Sequence, residues 1–400
     1  MKKFFIYIYS YAIISTFGFG QIRIPGFPFN VGQIAYILLM ISCFIIDKKA
    51  LYDKYLGMYA IFIFFYFLSS VFTGFDQTFI SFFITKLFTL IPLYWGTKIL
   101  ISRFKTIKPL LIPLMFIGIL DTFVTISQVY GIHIFDTLIN YLGVHDEEKH
   151  EMMLRRDLTI GLSMNGIYVS AVHNGHNLLF FFCMSFALIR QKINAIRLLP
   201  TLILFIGIFF CQQRSAFLFA VMAMIAFIYI LIKNKLTKAH QFTLICTIIL
   251  LAIIADISIA SEIFSDSRLS NIELSDRSGL FNDSIAYIFD NLFIGGIHQF
   301  TRIYGLPPHN TLISAFMAGG LIGGFILVHM MYLQFSYAYK SLKCNYSFLQ
   351  YVFTVTFTAL IGDSMFHNTG YVQGDYATFI TWALILMSYN FIQYENYIRK

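Results

Sequence analysis

Arg214 sits in Cys211-Gln212-Gln213-Arg214-Ser215, a turn of very few residues between two apolar runs. A guanidinium held at the mouth of an apolar hairpin is costly unless an anion meets it, and its planar fork suits a phosphate. The plainer reading is an arginine that snorkels to mark a membrane boundary. His309 stands in Leu306-Pro307-Pro308-His309-Asn310-Thr311, where a long polar stretch gives way to an apolar run with Gly319-Gly320 and Gly323-Gly324. The prolines stiffen this entry. An imidazole there can take a proton or hydrogen-bond a phosphate, or simply sit at an interface. The glycines read as helix-packing contacts. Arg277, in Ser275-Asp276-Arg277-Ser278-Gly279, precedes Ile285-Ala286-Tyr287-Ile288-Phe289, whose spacing predicts a short amphipathic surface helix. A local pair with Asp276 is its structural alternative.

Other groups are weaker. Arg155 and Arg156 are adjacent, near Asp146-Glu147-Glu148, and either bind an anionic substrate or pair with those acids. His173 and His176 bracket Asn174-Gly175, and Asp363, His367 and Asp375 cluster in the last polar turn. No ligand spacing turns these into a metal site, and none is expected. Lys86 and Asp121, in or near apolar runs, could form a buried pair or a proton relay, with a structural pair the plainer reading.

The elements that carry these residues follow from composition. Of 400 residues, 58% are apolar and 12% are charged, about half the charge of a soluble domain at ~25%. This excludes soluble, disordered and disulfide-scaffold classes. Five cysteines without a Cys-x-x-Cys give neither a disulfide framework nor a thiolate metal site. The expectation is an all-α integral membrane protein, a single membrane domain over 1–400. Apolar runs fall at about 4–20, 31–46, 55–73, 78–97, 109–128, 175–189, 198–212, 215–232, 241–260, 309–335, 346–362 and 376–393, against the ~20 residues that cross a bilayer, a few of them short. The first is read as a retained helix rather than a signal peptide.

Lys and Arg set the orientation. With both termini cytoplasmic and about twelve crossings, 19 of the 28 basic residues fall in inner segments and eight in outer ones. The net charge of +8 therefore reports topology, not nucleic acid. Two outer loops are long, roughly 129–174 and 261–308, and are expected to hold short helices and the chemistry. No repeat, nucleotide-binding loop or soluble domain is evident.

Arginines and a histidine on one face of a helix bundle suit a polyanionic lipid head group. Their field would stabilise charge growing on a leaving diphosphate. Such a transfer needs positioning and one base, and no nucleotide site.

The Gln-Arg-Ser hairpin resembles that of the O-antigen ligase and polymerase superfamily. So does the later series Asp276-Arg277, Gly295-Gly296, Pro308-His309-Asn310, Gly320 and Gly323-Gly324, over roughly residues 195–375. The resemblance implies a multi-span bacterial inner-membrane glycosyltransferase, inverting, metal-independent and without cofactor, with its active site facing the periplasm. The donor would be an undecaprenyl-diphosphate-linked oligosaccharide. His309 would be the base or orient the acceptor hydroxyl, and Arg214 and Arg277 would hold the diphosphate. Asn310, Arg155, Arg156 and His367 are the further substrate-binding candidates. The last turn, with Phe366-His367-Asn368 and Gly374-Asp375, looks more like the polymerases. The expected activity is polymerisation of lipid-linked repeat units of O-antigen or a related surface polysaccharide. Transfer to lipid A core by a ligase is the alternative. A lipid-linked oligosaccharide flippase, a transporter or a scaffold fits less well. Partners would be the bilayer, the lipid-linked glycan and, left open, a chain-length regulator.

Overall fold

A computed structural model describes residues 1–19, 30–74, 77–132, 164–168, 170–189, 195–232, 275–305, 308–344, 348–367, 370–372 and 374–398. They form thirteen α-helices and no β-strand. The helices are α1 (Lys2–Ile14), α2 (Val31–Ile46), α3 (Lys54–Thr73), α4 (Gln77–Ser102), α5 (Lys108–Val129), α6 (Ala171–Ser185), α7 (Ala195–Cys211), α8 (Arg214–Ile232), α9 (Ser275–Asp290), α10 (Ile297–Tyr304), α11 (Thr311–Cys344), α12 (Phe348–Ser364) and α13 (Tyr376–Ile398). Every expected apolar run except 241–260, which lies outside the described residues, coincides with a helix. Four of them, within α3, α5, α8 and α11, are long and apolar enough to cross a membrane by length and composition. α2, most of α7 and the first half of α13 are apolar but shorter.

Local signals set the helix starts. Asp53 caps α3, its Oδ1 accepting from Tyr55 N and Leu56 N at 3.0 and 2.8 Å, a device worth about 1 kcal/mol. Gly74, at φ 107°, ends α3 in a conformation few other residues take. Pro109 occupies the first turn of α5, where no amide hydrogen is needed. Ser170 accepts from His173 N, so α6 begins at Ala171, four residues before the apolar run suggests. α4 runs on to Ser102, because Lys98, expected in an inner loop, is buried within it against Asp53 at 2.9 Å. The Tyr94 hydroxyl donates to the same carboxylate. Arg103 reaches Asp47 at 2.9 Å.

The chain divides into two compact units, with boundaries inside α2 and α12. The first holds Met1–Ala35, Thr106–Ile272 and Tyr346–Leu360. Here α5 packs on α1, α6 and α7, and α6 on α7 and α8. Small residues allow the approach: a Cβ on Gly118 would lie 2.6 Å from Leu204, and one on Gly207 would lie 2.3 Å from Thr122 Oγ1. The second unit holds Tyr36–Lys105, Glu273–Asn345 and Ile361–Lys400. Here α3 packs on α11, α4 on α13, and α9 and α10 on α11. Gly319 and Gly323 face Phe62 and Phe65 of α3 as packing contacts. Gly320 is different. At φ 60°, ψ −166° it breaks α11, and the chain at 292–296 docks into the break. Gly296 N donates to Met317 O at 2.6 Å and Leu321 N to Leu292 O at 2.7 Å. A Cβ on Gly320 would stand 2.3 Å from Phe293 O.

Candidate functional site

Arg214 is the first residue of α8. The reversal before it is made by Gln212, which holds φ 61° without being glycine, a conformation costing roughly 1–2 kcal/mol. Gln212 and Gln213 are buried, whereas Arg214 is exposed. A cation at a helix N-terminus opposes the helix dipole. Guanidinium and helix N-terminus together favour an anion.

The turn is held from outside. Met164 N donates to Cys211 O at 3.3 Å, and a Cβ on Gly175 would meet Gln213 Cβ at 2.8 Å. Residues 164–168, the end of the first long loop, lie in a buried polar layer of α5 and α6. Gln128 exchanges two hydrogen bonds with the backbone of Gly166, at 2.9 and 3.1 Å. Asp121 Oδ1 accepts from Ile167 N at 2.9 Å. Asn174 Nδ2 donates to Met164 O at 2.9 Å and to Thr125 Oγ1 at 3.0 Å. The Tyr168 hydroxyl donates to Phe17 O at 2.7 Å. Burial, and then the nearby Asp121, pushes this phenol well above its ordinary pKa. Asp121 forms no ion pair among the described residues. It anchors a loop, a role that sequence spacing did not reveal.

In the second unit, Asn310 caps α11. Its Oδ1 accepts from Leu312 N and Ile313 N at 2.9 and 3.1 Å. Its Nδ2 donates to Met365 O at 2.9 Å, which clasps the last polar turn to the entry of α11. One amide hydrogen of the pair on Nδ2 remains for another acceptor. Pro308 O accepts from Ser314 Oγ at 3.2 Å. His309, half-buried, is thus fixed between two anchored neighbours. Gly370, at φ 100°, completes the junction: a Cβ there would lie 3.2 Å from both Thr311 Oγ1 and Ser364 Oγ. The structure therefore brings the His309-Asn310 entry together with the turn that carries buried Asp363 and His367.

Asp375 is used locally. Its Oδ2 accepts from Thr378 N at 2.7 Å and caps α13. Lys86 joins the same region, its stem 3.7 Å from a Cβ built on Gly374 and its Nζ 4.2 Å from the centre of the Tyr376 ring. Sequence reading took Lys86 for a snorkelling or paired lysine and missed this turn as its neighbour.

Arg277 lies in the first turn of α9, which packs on α11. Its side chain and that of Asp276 are outside the described residues, as are Arg155 and Arg156. Among the described residues no group of three His, Cys, Asp or Glu could hold a metal. Cys43, Cys183 and Cys211 are buried and form no disulfide among the described residues. The first unit thus presents Arg214. The second presents His309 and Asn310 at the entry of α11, clasped to the turn of His367, and the Arg277 helix packs on α11.

Comparison with known families finds no family model that matches this chain, and comparison with curated proteins finds no relative that matches it.

Proposed function

We propose that this chain is a bacterial inner-membrane glycosyltransferase that polymerises undecaprenyl-diphosphate-linked repeat units of O-antigen or a related surface polysaccharide. The observation that supports it most is the clasp at α11. His309 is held between Pro308 and Asn310, and Asn310 is bonded across to the turn carrying His367. A proton acceptor held this way meets the first requirement of general base catalysis, which is position. The second support is Arg214, an arginine placed where it opposes its own helix dipole.

In this reading the chain crosses the membrane about twelve times with both ends cytoplasmic, and the site faces the periplasm. The acceptor hydroxyl oxygen attacks the anomeric carbon of the donor. The bond from that carbon to the diphosphate oxygen breaks, and the diphosphate leaves with the electron pair. His309 takes the hydroxyl proton. Arginine stabilises the charge on the departing diphosphate, with Arg277 the candidate on the unit of His309 and Arg214 the candidate on the other. Direct attack inverts the anomeric carbon.

A strain lacking this chain tests the proposal. The reading expects lipid A core bearing single repeat units. Bare core with lipid-linked polymer accumulating would instead assign the ligase reaction. Unchanged polysaccharide would refute both.

A further inference from the structure

The helix α9 and the segment after it present a surface that neither the fold nor the proposed reaction uses. α9 has three faces. Leu280, Ser284, Tyr287 and Asn291 face inward, with Ser284 and Tyr287 buried. Tyr287 donates to Gln299 Oε1 of α10 at 3.1 Å and packs on Phe300. Asp283, Ala286 and Asp290 form an exposed face that carries the acids of the helix. Phe281, Ile285 and Phe289, spaced by four residues, form an apolar face that is 48%, 36% and 72% exposed. After the helix, Phe293 and Ile294 are 75% and 48% exposed, and Ile303 and Tyr304 of α10 are exposed as well.

We propose that this strip lies in the acyl layer of the bilayer, with α9 parallel to the membrane surface at its interface. Three observations choose lipid as the occupant. An apolar face beside a charged face on one helix is the amphipathic pattern of an interfacial helix. The strip is seated at the end of a span. A Cβ on Gly296 would lie 3.0 Å from Thr73, the last residue of α3, and one on Gly74 would lie 3.9 Å from the Arg302 guanidinium. The Tyr66 hydroxyl also meets His298 Nε2 at 3.3 Å. Finally, α3 carries its own exposed apolar face, Phe64, Phe67, Val71 and Phe72, which leads up to this junction. The surface that must meet lipid along α3 therefore continues onto α9 and α10. Docking of residues 292–296 into the break of α11 holds the helix at that level. The inference concerns placement and is independent of the proposed reaction.

The test uses the full chain in nanodiscs of phosphatidylethanolamine and phosphatidylglycerol. Spin labels are placed singly at 281, 285, 289, 283, 286 and 290, in a background with the five native cysteines replaced. Positions 281, 285 and 289 are expected to be accessible to oxygen and shielded from a nickel chelate, and 283, 286 and 290 the reverse. The conservative variant Phe289→Trp gives a second readout, because the native Trp95 and Trp382 are buried. Its emission is expected to be quenched by brominated acyl chains. Equal access of the nickel chelate to both sets would overturn the proposal, since the strip would then face water. Shielding of 281, 285 and 289 from both reagents, with no quenching of the tryptophan, would also overturn it, by assigning the face to a protein partner.

Discussion

Asn310 is where the account of the site can be tested by separating two jobs of one side chain. Its Oδ1 caps α11 and its Nδ2 clasps Met365 O. Asn310→Ser keeps an oxygen able to cap and removes the clasp. It should cost about 1 kcal/mol, the net value of one hydrogen bond. Asn310→Ala removes both and should cost about 2 kcal/mol, since losing a cap costs roughly 1 kcal/mol more. Thermal denaturation of the purified proteins in detergent should therefore rank wild type above Ser and Ser above Ala. Polymer length on surface polysaccharide gels should behave differently. Both variants lose the bond that fixes the His309 entry against the His367 turn, so both should shorten the polymer strongly. A Ser variant as unstable as Ala would show that the cap does not form. Wild-type polymer from Asn310→Ala would refute the claim that the clasp positions His309.

Gly320→Ala should destabilise the second unit, by roughly 1–2 kcal/mol for its left-handed backbone alone and further because the new Cβ would lie 2.3 Å from Phe293 O. Gly323→Ala, whose Cβ would meet a side-chain atom of Phe65 at 3.2 Å, should be milder, and thermal melts compare the two. Arg277→Lys should be far less active than wild type, because a point charge cannot form the guanidinium fork; full activity would show that charge suffices. Chelators should leave glycan transfer by purified protein unchanged, and inhibition reversed by added metal would contradict the metal-independent reading.

The helices were legible because an apolar run of helical length reads the same whether a helix spans or packs. Their ends were less so, because polar residues at a run's edge look like loop until a partner appears. Lys98 is such a case: only the fold of α3 reveals Asp53 as its partner. Ser170 extends α6 in the same way. The glycines of α11 were readable as packing residues at 319 and 323, where a single neighbouring helix decides their role. Gly320 was not, because its conformation depends on a segment about 25 residues earlier docking into the chain. Of the site, the types and order of Arg214, Arg277 and His309 could be read directly. The clasp from Asn310 to residue 365 could not, since a hydrogen bond across 55 positions leaves no local pattern. The loop anchors Asp121 and Gln128 were hidden for the same reason.

If His309 is the base of a lipid-linked polymerase, a gel of surface polysaccharide will show it. Surface polysaccharide is compared from a strain lacking this chain, the same strain carrying wild type, and the same strain carrying His309→Ala at equal membrane abundance. The account predicts single repeat units on lipid A core in the first and third and full-length polymer in the second. Full-length polymer with His309→Ala would contradict it.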